Sequence, residues 1–404
     1  MALSRIIAIT AIVCMAAGTA GAADLSDQEQ LGKSIFFDEA LSSNQNQSCA
    51  SCHNPTAGWT GSTSEVNAGT VVYEGSIPGS FGNRKPPSSA YATTSSIFHY
   101  DAKAGLFVGG NFWDGRARGE RLGNPAAEQA QGPFLNPLEQ ALGAATDVID
   151  RICGSSYADL FRTVCGSAAC DQANVNEAYD CVGLSVAAFE GSFESNAFSS
   201  KFDAHLKGKA RLAPSELQGF ALFMGKGKCN KCHVISFGKK NGPALFTDYT
   251  FDNLGIPRYP DNPFYTAAPG FNPDGYNWID PGLGGFLMTR AEFAAFADAN
   301  YGKHKVPTLR NVDKRPSPDF VKAYGHNGYF KSLKRIVHFY NTRDVLPRCD
   351  SSVTDAEAEV MGCWPPPEVA ATVNTAELGN LGLDDAEENA LVDFMKTLTD
   401  GYQQ

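Results

Sequence analysis

The chain has 404 residues, of which 43% are hydrophobic and 19% are charged, so it can form the core of one large domain or of two ordinary ones. This composition excludes a disordered or a fibrous protein. The formal net charge of −11 argues against a nucleic-acid partner, because no basic surface would replace the counterions of the phosphates.

The first residues have the pattern of a secretory signal. Arg5 precedes an apolar run over 6–17, and small residues then lead to an Ala-Gly-Ala triplet that ends at Ala22. The apolar run is too short to span a bilayer, and no later segment approaches the necessary length. We therefore predict a signal peptide over 1–22, cleavage near Ala22, and a periplasmic protein without a membrane span, in a compartment where disulfides persist.

Three helix starts can be placed from the sequence. Ser26 and Glu29 have the spacing of a capping box, and the Pro-Ser-Glu run over 214–216 suits the first turn of a second helix. A last helix is predicted to start at Asp384, with Glu387 three residues further on.

Two identical C-x-x-C-H frames carry the clearest chemistry. They consist of Cys49, Cys52 and His53 in the N-terminal half, and of Cys229, Cys232 and His233 in the C-terminal half. This spacing is the attachment signature of c-type haem, in which both thiols bond to the porphyrin and the next His ligates iron. A zinc site would need a second Cys/His pair near each frame, and a thioredoxin-like pair would leave both histidines unexplained. The sequence therefore predicts two covalently bound haem c groups.

The segments ahead of the two frames are similar, which indicates an internal duplication. Both 32–36 and 219–223 read Gly-x-x-Ile/Leu-Phe. The predicted fold class is mainly α: two cytochrome c-like helical haem domains with long loops. We expect an N-terminal domain over 23–205 and a C-terminal domain over 206–404. Within the latter, a stretch rich in Gly, Pro and Asn over 257–285 is predicted to be a long loop.

An iron with one His ligand has an open sixth position, and what fills that position separates catalysis from electron transfer. The stretch 54–98 after the first frame contains no His and no Met, and His99 is the first candidate ligand. We therefore predict that the iron bound by His53 is open to a small ligand such as peroxide. The alternative is a sixth ligand that arrives from elsewhere in the chain.

Six further cysteines are expected to form disulfides in an exported protein. Cys349 and Cys363 enclose a Pro-rich loop and are predicted to pair. The other four allow three connectivities; they are Cys153, Cys165, Cys170 and Cys181. A catalytic thiol among them is less favoured, because nothing nearby resembles an activating base.

The segment 332–340 is predicted to form an amphipathic helix, since four residues share one face: Leu333, Ile336, Val337 and Tyr340. That face should look inward, and the oxygen of Tyr340 could then reach the second iron. The alternative is a Tyr that packs in the core with its hydroxyl satisfied. Met224 and Met288 are rival ligands, because a thioether is a common ligand of c-type haem.

Motifs over most of 31–400 resemble those of the bacterial di-haem cytochrome c peroxidase family, and within it the MauG type. They are 31–38 (LGKSIFFD), 112–116 (FWDGR), 128–133 (EQAQGP), 136–139 (NPLE), 305–311 (KVPTLRN) and 326–328 (HNG). The resemblance implies that the first haem is the peroxide site and that the second relays electrons.

The resemblance also implies roles for individual residues. Trp113 would lie between the two haems, and Gln129, Glu139 and Pro133 would line the peroxide pocket. Glu139, helped by Gln129, would move a proton between the peroxide oxygens; the alternative for Glu139 is a surface carboxylate. Many ordinary members carry a plugging His in the loop after the first frame, and this sequence has none.

The ligand of the second haem distinguishes the types within the family. Ordinary peroxidases carry Met fourteen residues after the His of the His-Asn-Gly motif, whereas MauG-type members carry Tyr. Counted from His326, this residue is Tyr340, which also lies on the predicted inward face of the helix. His233 and Tyr340 are thus the ligands implied for the second iron, and His53 is the ligand of the first.

A calcium ion between the domains is a further feature of the family, held by an Asn side chain and two backbone carbonyls. Lys85 stands where that Asn is expected, and the carbonyls would come from Val321 and Ala323. Because calcium requires oxygen ligands, a site here would depend on Asn83 instead, and the sequence leaves it open.

The sequence thus predicts a periplasmic di-haem oxidoreductase that uses hydrogen peroxide. In the MauG-type interpretation, it oxidises a side chain of a partner protein, foremost Trp, through a high-valent state shared by both haems. The alternatives are an ordinary peroxidase supplied with electrons by a small redox protein, and a non-catalytic di-haem electron carrier or sensor. An oxygen ligand on the second iron favours the first interpretation, because it stabilises ferric and higher states.

Overall fold

The prediction of a mainly α fold is confirmed. The computed structural model describes residues 24–235 and 242–403, so the predicted signal peptide lies outside the described residues. The helices are α1 (Asp27–Phe36), α2 (Cys49–Cys52), α3 (Ser64–Ala68), α4 (Pro125–Leu135), α5 (Ala145–Cys153), α6 (Ala158–Cys165), α7 (Val175–Gly191), α8 (Lys201–Leu206), α9 (Pro214–Met224), α10 (Gly282–Met288), α11 (Leu333–Thr342), α12 (Asp355–Met361) and α13 (Asp385–Lys396). In this described part, none of the helices has both the length and the apolar composition needed to cross a bilayer.

The strands form two short antiparallel ribbons. The first pairs β1 (His99–Asp101) with β2 (Leu106–Val108), and His99 lies opposite Val108. The second pairs β3 (Phe251–Asp252) with β4 (His304–Lys305), and Phe251 lies opposite Lys305.

The three predicted helix starts are confirmed. Ser26 caps α1 by accepting a hydrogen bond from the backbone N–H of Glu29, while the Glu29 carboxylate accepts one from the backbone N–H of Ser26. Asp384 caps α13 through the backbone N–H of Glu387 at 2.8 Å. Pro214 occupies the first turn of α9, where its missing N–H costs no hydrogen bond.

Two equivalent helix crossings support the duplication. Helix α1 crosses α7 at Gly32, where an added Cβ would lie 1.8 Å from the carbonyl oxygen of Ser185. Helix α9 crosses α13 at Gly219, where an added Cβ would lie 1.9 Å from the carbonyl oxygen of Ala390. Only glycine permits backbones to approach this closely, so each frame follows a tightly crossed helix pair.

Two large hydrophobic cores lie in the two halves of the chain. The first packs α1 and α5 against α7, with α6 against α1, and includes Ile35 and Phe189. The second packs α9 and α11 against α13, and Phe202 of α8 joins it with a ring 5.3 Å from that of Phe394. Helix α8 therefore contacts the C-terminal core, while the domain boundary at 205/206 stays a prediction.

The loop over 257–285 positions part of the site. It contains short 3₁₀ turns at Pro263–Thr266 and Gly275–Asn277 before α10 begins at Gly282. Phe264, Gly270 and Phe271 from this loop line a cavity beside the first frame, so a segment of the C-terminal half helps to enclose the N-terminal site.

The predicted pairing of Cys349 with Cys363 is confirmed. The four crowded cysteines form the pairs Cys153–Cys170 and Cys165–Cys181, which link α5 to the chain after α6 and link α6 to α7. Among the cysteines of the described ranges, the four thiols outside disulfides are those of the two C-x-x-C-H frames.

Replacing Gly219 by Ala should lower the free energy of unfolding by about 1–3 kcal/mol or more, because α9 and α13 would be forced apart. The thermal unfolding of the haem-loaded protein measures this loss. Gly154→Ala is the matched control, since its added Cβ would be 3.6 Å from the carbonyl oxygen of Asp150 and its φ is −91°. Equal effects of the two substitutions would contradict the proposed crossing constraint.

Candidate haem sites and the residue between them

The first frame lies on α2 and opens onto a cavity of about 400 Å³. Cys49 and Cys52 are one helical turn apart, so both thiols face the same cavity, and His53 follows directly. The Nδ1 of His53 is 3.1 Å from the carbonyl oxygen of Trp59, which places the proton on Nδ1 and makes Nε2 the unprotonated nitrogen of the neutral ring. Burial lowers the pKa of His53 to about 4, so the ring is neutral, as an iron ligand must be.

The second frame repeats this arrangement beside a cavity of about 170 Å³. It begins on the 3₁₀ turn Cys229–Lys231, and Cys229, Cys232 and His233 all line the cavity. The Nδ1 of His233 is 2.9 Å from the carbonyl oxygen of Phe246, and burial lowers the pKa of His233 to about 4. Both frames therefore fit a covalent haem: two free thiols and one neutral imidazole with an available Nε2 face each cavity.

The predicted peroxide-pocket residues meet around the first cavity. Gln129 and Pro133 come from α4, and Glu139 from the turn that follows it. Burial raises the pKa of Glu139, while the positive charge of Arg116, which also lines the cavity, opposes that shift. The cavity therefore brings a carboxyl group, an amide and a guanidinium to one wall.

The described lining of the first cavity offers neither a second His nor a Met as a sixth ligand. Tyr73 also lines it, but its hydroxyl donates to the side-chain oxygen of Asn67 at 3.3 Å. His99 is exposed on β1, with its Nδ1 2.8 Å from the carbonyl oxygen of Ile97. This lining agrees with the prediction that the sixth position of the iron bound by His53 is open to a small ligand.

Glu190 is a residue of the first cavity that the sequence analysis missed. It lies on α7, is 4% exposed, and its Oε2 has no hydrogen-bond partner in the described structure. Burial raises the pKa of Glu190 to about 8, so it is neutral at pH 7. The indication in the sequence was a carboxyl group directly after the apolar run 186–189. Which cavity this carboxyl group faces is set by the packing of α7 on α1.

The predicted inward face of α11 lines the second cavity. All four of its residues do so: Leu333, Ile336, Val337 and Tyr340. Burial raises the pKa of Tyr340, so a free phenol would keep its proton, and iron coordination would have to displace it. His338 lies off this face, with its Nδ1 3.0 Å from the carboxylate of Glu388.

The rival thioethers are also placed by the structure. Met224 and Met288 are 39% and 58% exposed, and neither lines the second cavity. Met395 of α13, which the sequence analysis did not weigh, does line it. Tyr340 and Met395 are thus the phenol and the thioether whose ligation must be distinguished, and His304 and His326, which also line this cavity, are rival imidazoles.

Trp113 lines both cavities and is buried between them. Its indole N–H donates to the carbonyl oxygen of Lys85 at 2.7 Å, and its own carbonyl accepts from the N–H of Lys305 at 2.8 Å. The next residue, Asp114, pairs with Arg84 at 2.6 Å, and Arg84 also pairs with Asp280 at 2.6 Å. The indole is therefore held in place from both halves of the chain.

Comparison with known proteins identifies the family. The methylamine utilization protein MauG of Paracoccus denitrificans is 34% identical over 397 residues, covering 96% of this chain and 93% of that protein. The chain belongs to the di-haem cytochrome c peroxidase family. The family model described as di-haem cytochrome c peroxidase matches residues 26–211. The protein is therefore a di-haem oxidoreductase that uses peroxide, and the family implies two haem c groups.

Two further members of this family are similar over most of the chain. Cytochrome c551 peroxidase of Nitrosomonas europaea is 30% identical over 317 residues, covering 77% of this chain and 72% of that protein. The crystal structure of the diheme peroxidase BthA from Burkholderia thailandensis superposes with a TM-score of 0.75 at 27% identity, covering 94% of this chain and 90% of that chain. Both sequence identity and structural superposition thus support the fold and the assignment to the peroxidases.

A buried cluster beside Trp113 has the composition of a metal site but not its geometry. The rings of His304 and His326 stack 3.6 Å apart at 8°, and the Nε2 of His304 is 3.2 Å from a carboxylate oxygen of Asp280. The lone pairs of stacked rings lie in two nearly parallel planes, with the ring centroids 3.6 Å apart, so they do not converge on one ion. Asp280 is already held by two hydrogen bonds from Arg84. The cluster is better explained as a wall of the second cavity, which both histidines line.

Two of the positions implied for the family's calcium ion, Val321 and Lys85, do not suit a divalent cation. The carbonyl oxygen of Val321 accepts a hydrogen bond from the side-chain amide of Asn67 at 2.9 Å. Lys85 places a buried ammonium group near the same junction, and its charge would repel a metal ion.

Glu190→Gln should reduce the loss of stability between pH 5 and pH 8. The folded protein keeps the proton of Glu190 up to a pKa of about 8, whereas the unfolded chain releases it near 4.5. Protonated Glu190 therefore makes its full contribution to the free energy of unfolding below pH 4.5, and this contribution is lost as the pH rises towards 8. A neutral Gln has no such pH dependence.

Thermal unfolding midpoints of the haem-loaded protein across this pH range measure the effect. Glu177→Gln, on the exposed side of the same helix, is the matched control and should behave like the wild type. An unchanged pH profile for Glu190→Gln would show that Glu190 is not a buried neutral acid.

Proposed function

We propose that the protein is a MauG-type enzyme of the periplasm that uses hydrogen peroxide to oxidise a side chain, foremost Trp, of a partner protein. The observation that carries this proposal is Tyr340, which lines the second cavity from α11 together with His233 and would be the further ligand of the second iron. An oxygen ligand stabilises ferric and higher oxidation states, whereas a thioether favours the reduced state. The signal pattern over 1–22 and the three disulfides support a periplasmic location.

The first haem, held by Cys49, Cys52 and His53, would supply the chemistry that cleaves the O–O bond of peroxide. Around it, the chain provides acid–base groups. Glu139 would take a proton from one peroxide oxygen and return it to the other, and Gln129 would orient the substrate. Burial raises the pKa of Glu139 and Arg116 partly opposes that rise.

Trp113 would carry an electron between the two sites. Its N–H donates to an amide carbonyl, that of Lys85, which is too weak a base to accept the proton. An oxidised indole would therefore keep its proton, so electron movement through Trp113 requires no accompanying proton transfer. The alternative for Trp113 is a packed core residue, and its place at both cavities favours the relay.

An ordinary cytochrome c peroxidase is the second candidate function. In it, a small redox protein would supply electrons and peroxide would be detoxified. Met395 is the observation that favours this candidate, because it offers a thioether to the second cavity. A non-catalytic carrier or sensor is less favoured, because the described lining of the first cavity offers no Met and no His besides His53 as a sixth ligand, and the hydroxyl of its Tyr73 donates to Asn67.

Electron paramagnetic resonance of the ferric protein distinguishes these ligands. We expect one high-spin and one low-spin haem, because the first cavity is open and the second offers Tyr340. Tyr340→Phe should change the low-spin signal, and Met395→Leu, the control for the rival thioether, should leave it unchanged. The opposite result would assign Met395 and favour the ordinary peroxidase, and two low-spin signals at rest would contradict the open first site.

Glu139→Gln should slow the reaction with peroxide by roughly 10²–10⁴-fold, the usual contribution of a positioned acid–base group. Stopped-flow mixing measures the rate. Haem content should not change, since no iron ligand is altered. Glu39→Gln is a control, because Glu39 is exposed and does not line the cavity. A wild-type rate in Glu139→Gln would assign Glu139 a structural role.

A further inference from the structure

The loop 57–60 holds the ring of His53, because its Trp59 carbonyl accepts from the imidazole Nδ1. The loop turns at Gly58, whose φ is +78°, and an added Cβ there would lie 2.8 Å from the carbonyl oxygen of Asn311. Asn311 belongs to the C-terminal half of the chain. The orientation of the first axial ligand therefore depends on a close contact between the two halves.

Two buried ammonium groups lie at the two ends of this loop. Lys322 is 4% exposed, and its Nζ donates to the carbonyl oxygens of Ala57 at 2.6 Å and of Lys314 at 2.7 Å. Lys85 is 7% exposed, and its Nζ donates to the hydroxyl of Thr60 at 2.8 Å and to the carbonyl oxygen of Pro86 at 3.0 Å. Lys322 comes from the C-terminal half, so its ammonium group bridges the halves directly.

These ammonium groups donate their hydrogen bonds to neutral oxygens of the chain. In the described part of the chain, neither Lys85 nor Lys322 has a carboxylate within 4.0 Å. Burying a charge without a counter-ion is costly unless hydrogen bonds compensate it. Carbonyl and hydroxyl oxygens gathered around a cation are the surroundings that a bound metal ion would have.

The main chain of Lys85 extends this junction to the relay residue. Its N–H donates to the carbonyl oxygen of His326 at 2.9 Å, and its carbonyl accepts from the indole of Trp113 at 2.7 Å. Lys85 thus contacts three features of the molecule: the loop 57–60 that holds His53, Trp113 between the cavities, and His326 in the wall of the second cavity.

We propose that Lys85 and Lys322 are tethered cations that take the place of the divalent cation at this junction. They hold the loop 57–60, and with it the ring of His53, against the C-terminal half. The inference rests on the proposed role of His53 as the first axial ligand. It predicts that the haem environment is independent of calcium and dependent on both ammonium groups.

The first experiment uses the haem-loaded wild-type protein. Chelation and then addition of calcium should leave the high-spin signal of the first haem and the thermal midpoint unchanged, and calorimetric titration should detect no tight calcium site. One tightly bound calcium ion whose removal alters the high-spin signal would overturn the proposal. Because this experiment uses only the wild-type protein, it tests the proposal even where a lysine variant fails to fold.

The second experiment removes each ammonium group and keeps the aliphatic stem. Burial lowers the pKa of Lys85 to about 8 and of Lys322 to about 7, so spectra are recorded at pH 6, where both are charged. Lys85→Met and Lys322→Met should each shift or broaden the high-spin signal and leave the low-spin signal of the second haem intact. Lys103→Met, in the exposed turn between β1 and β2, is the control.

High-spin signals identical to the wild type in both variants would overturn the positioning role. Neither experiment decides the proposed function, because that function is tested by the peroxide kinetics of Glu139→Gln and by the low-spin signal of Tyr340→Phe. The two sets of results can therefore fail independently.

Discussion

The hydrogen bond from the indole of Trp113 to the carbonyl of Lys85 lies where the two halves of the molecule meet. It fixes an oxidisable ring between two cavities, each of which faces one haem-attachment frame. The surrounding contacts come from both halves: Lys305 donates to the carbonyl of Trp113, and Arg84 pairs with Asp114 and Asp280. In the proposed mechanism, the relay through Trp113 depends on this junction.

Buried charge is distributed unevenly around the first cavity. Arg84 is paired with two carboxylates, so its charge is compensated. Lys85 and Lys322 have oxygens but no close counter-ion among the described residues, and Glu190 avoids the cost of burial by remaining protonated. Lys85 and Lys322 thus bring positive charge to the His53 loop, while the protonated Glu190 adds no negative charge to the first cavity.

Much of the local structure could be predicted, because the signals were short in range. The capping box of Ser26 and Glu29 and the pairing of Cys349 with Cys363 depend on residues close in sequence. The inward face of α11 also follows from local periodicity. The connectivity of the four crowded cysteines could not be predicted, since three pairings are compatible with one sequence and the packing of α5, α6 and α7 selects among them.

The sequence by itself determined the two C-x-x-C-H frames, the helices ahead of them, and the family motifs that place Glu139 and Tyr340. These depend on covalent spacing and on helical period, which a linear chain contains. Only the tertiary structure decided that Met395 shares the second cavity with Tyr340, that Glu190 faces the first cavity, and that two ammonium groups occupy the junction. Each of these placements results from packing between segments far apart in the chain. Burial then sets the charge state of the titratable side chains, which no local sequence pattern reveals.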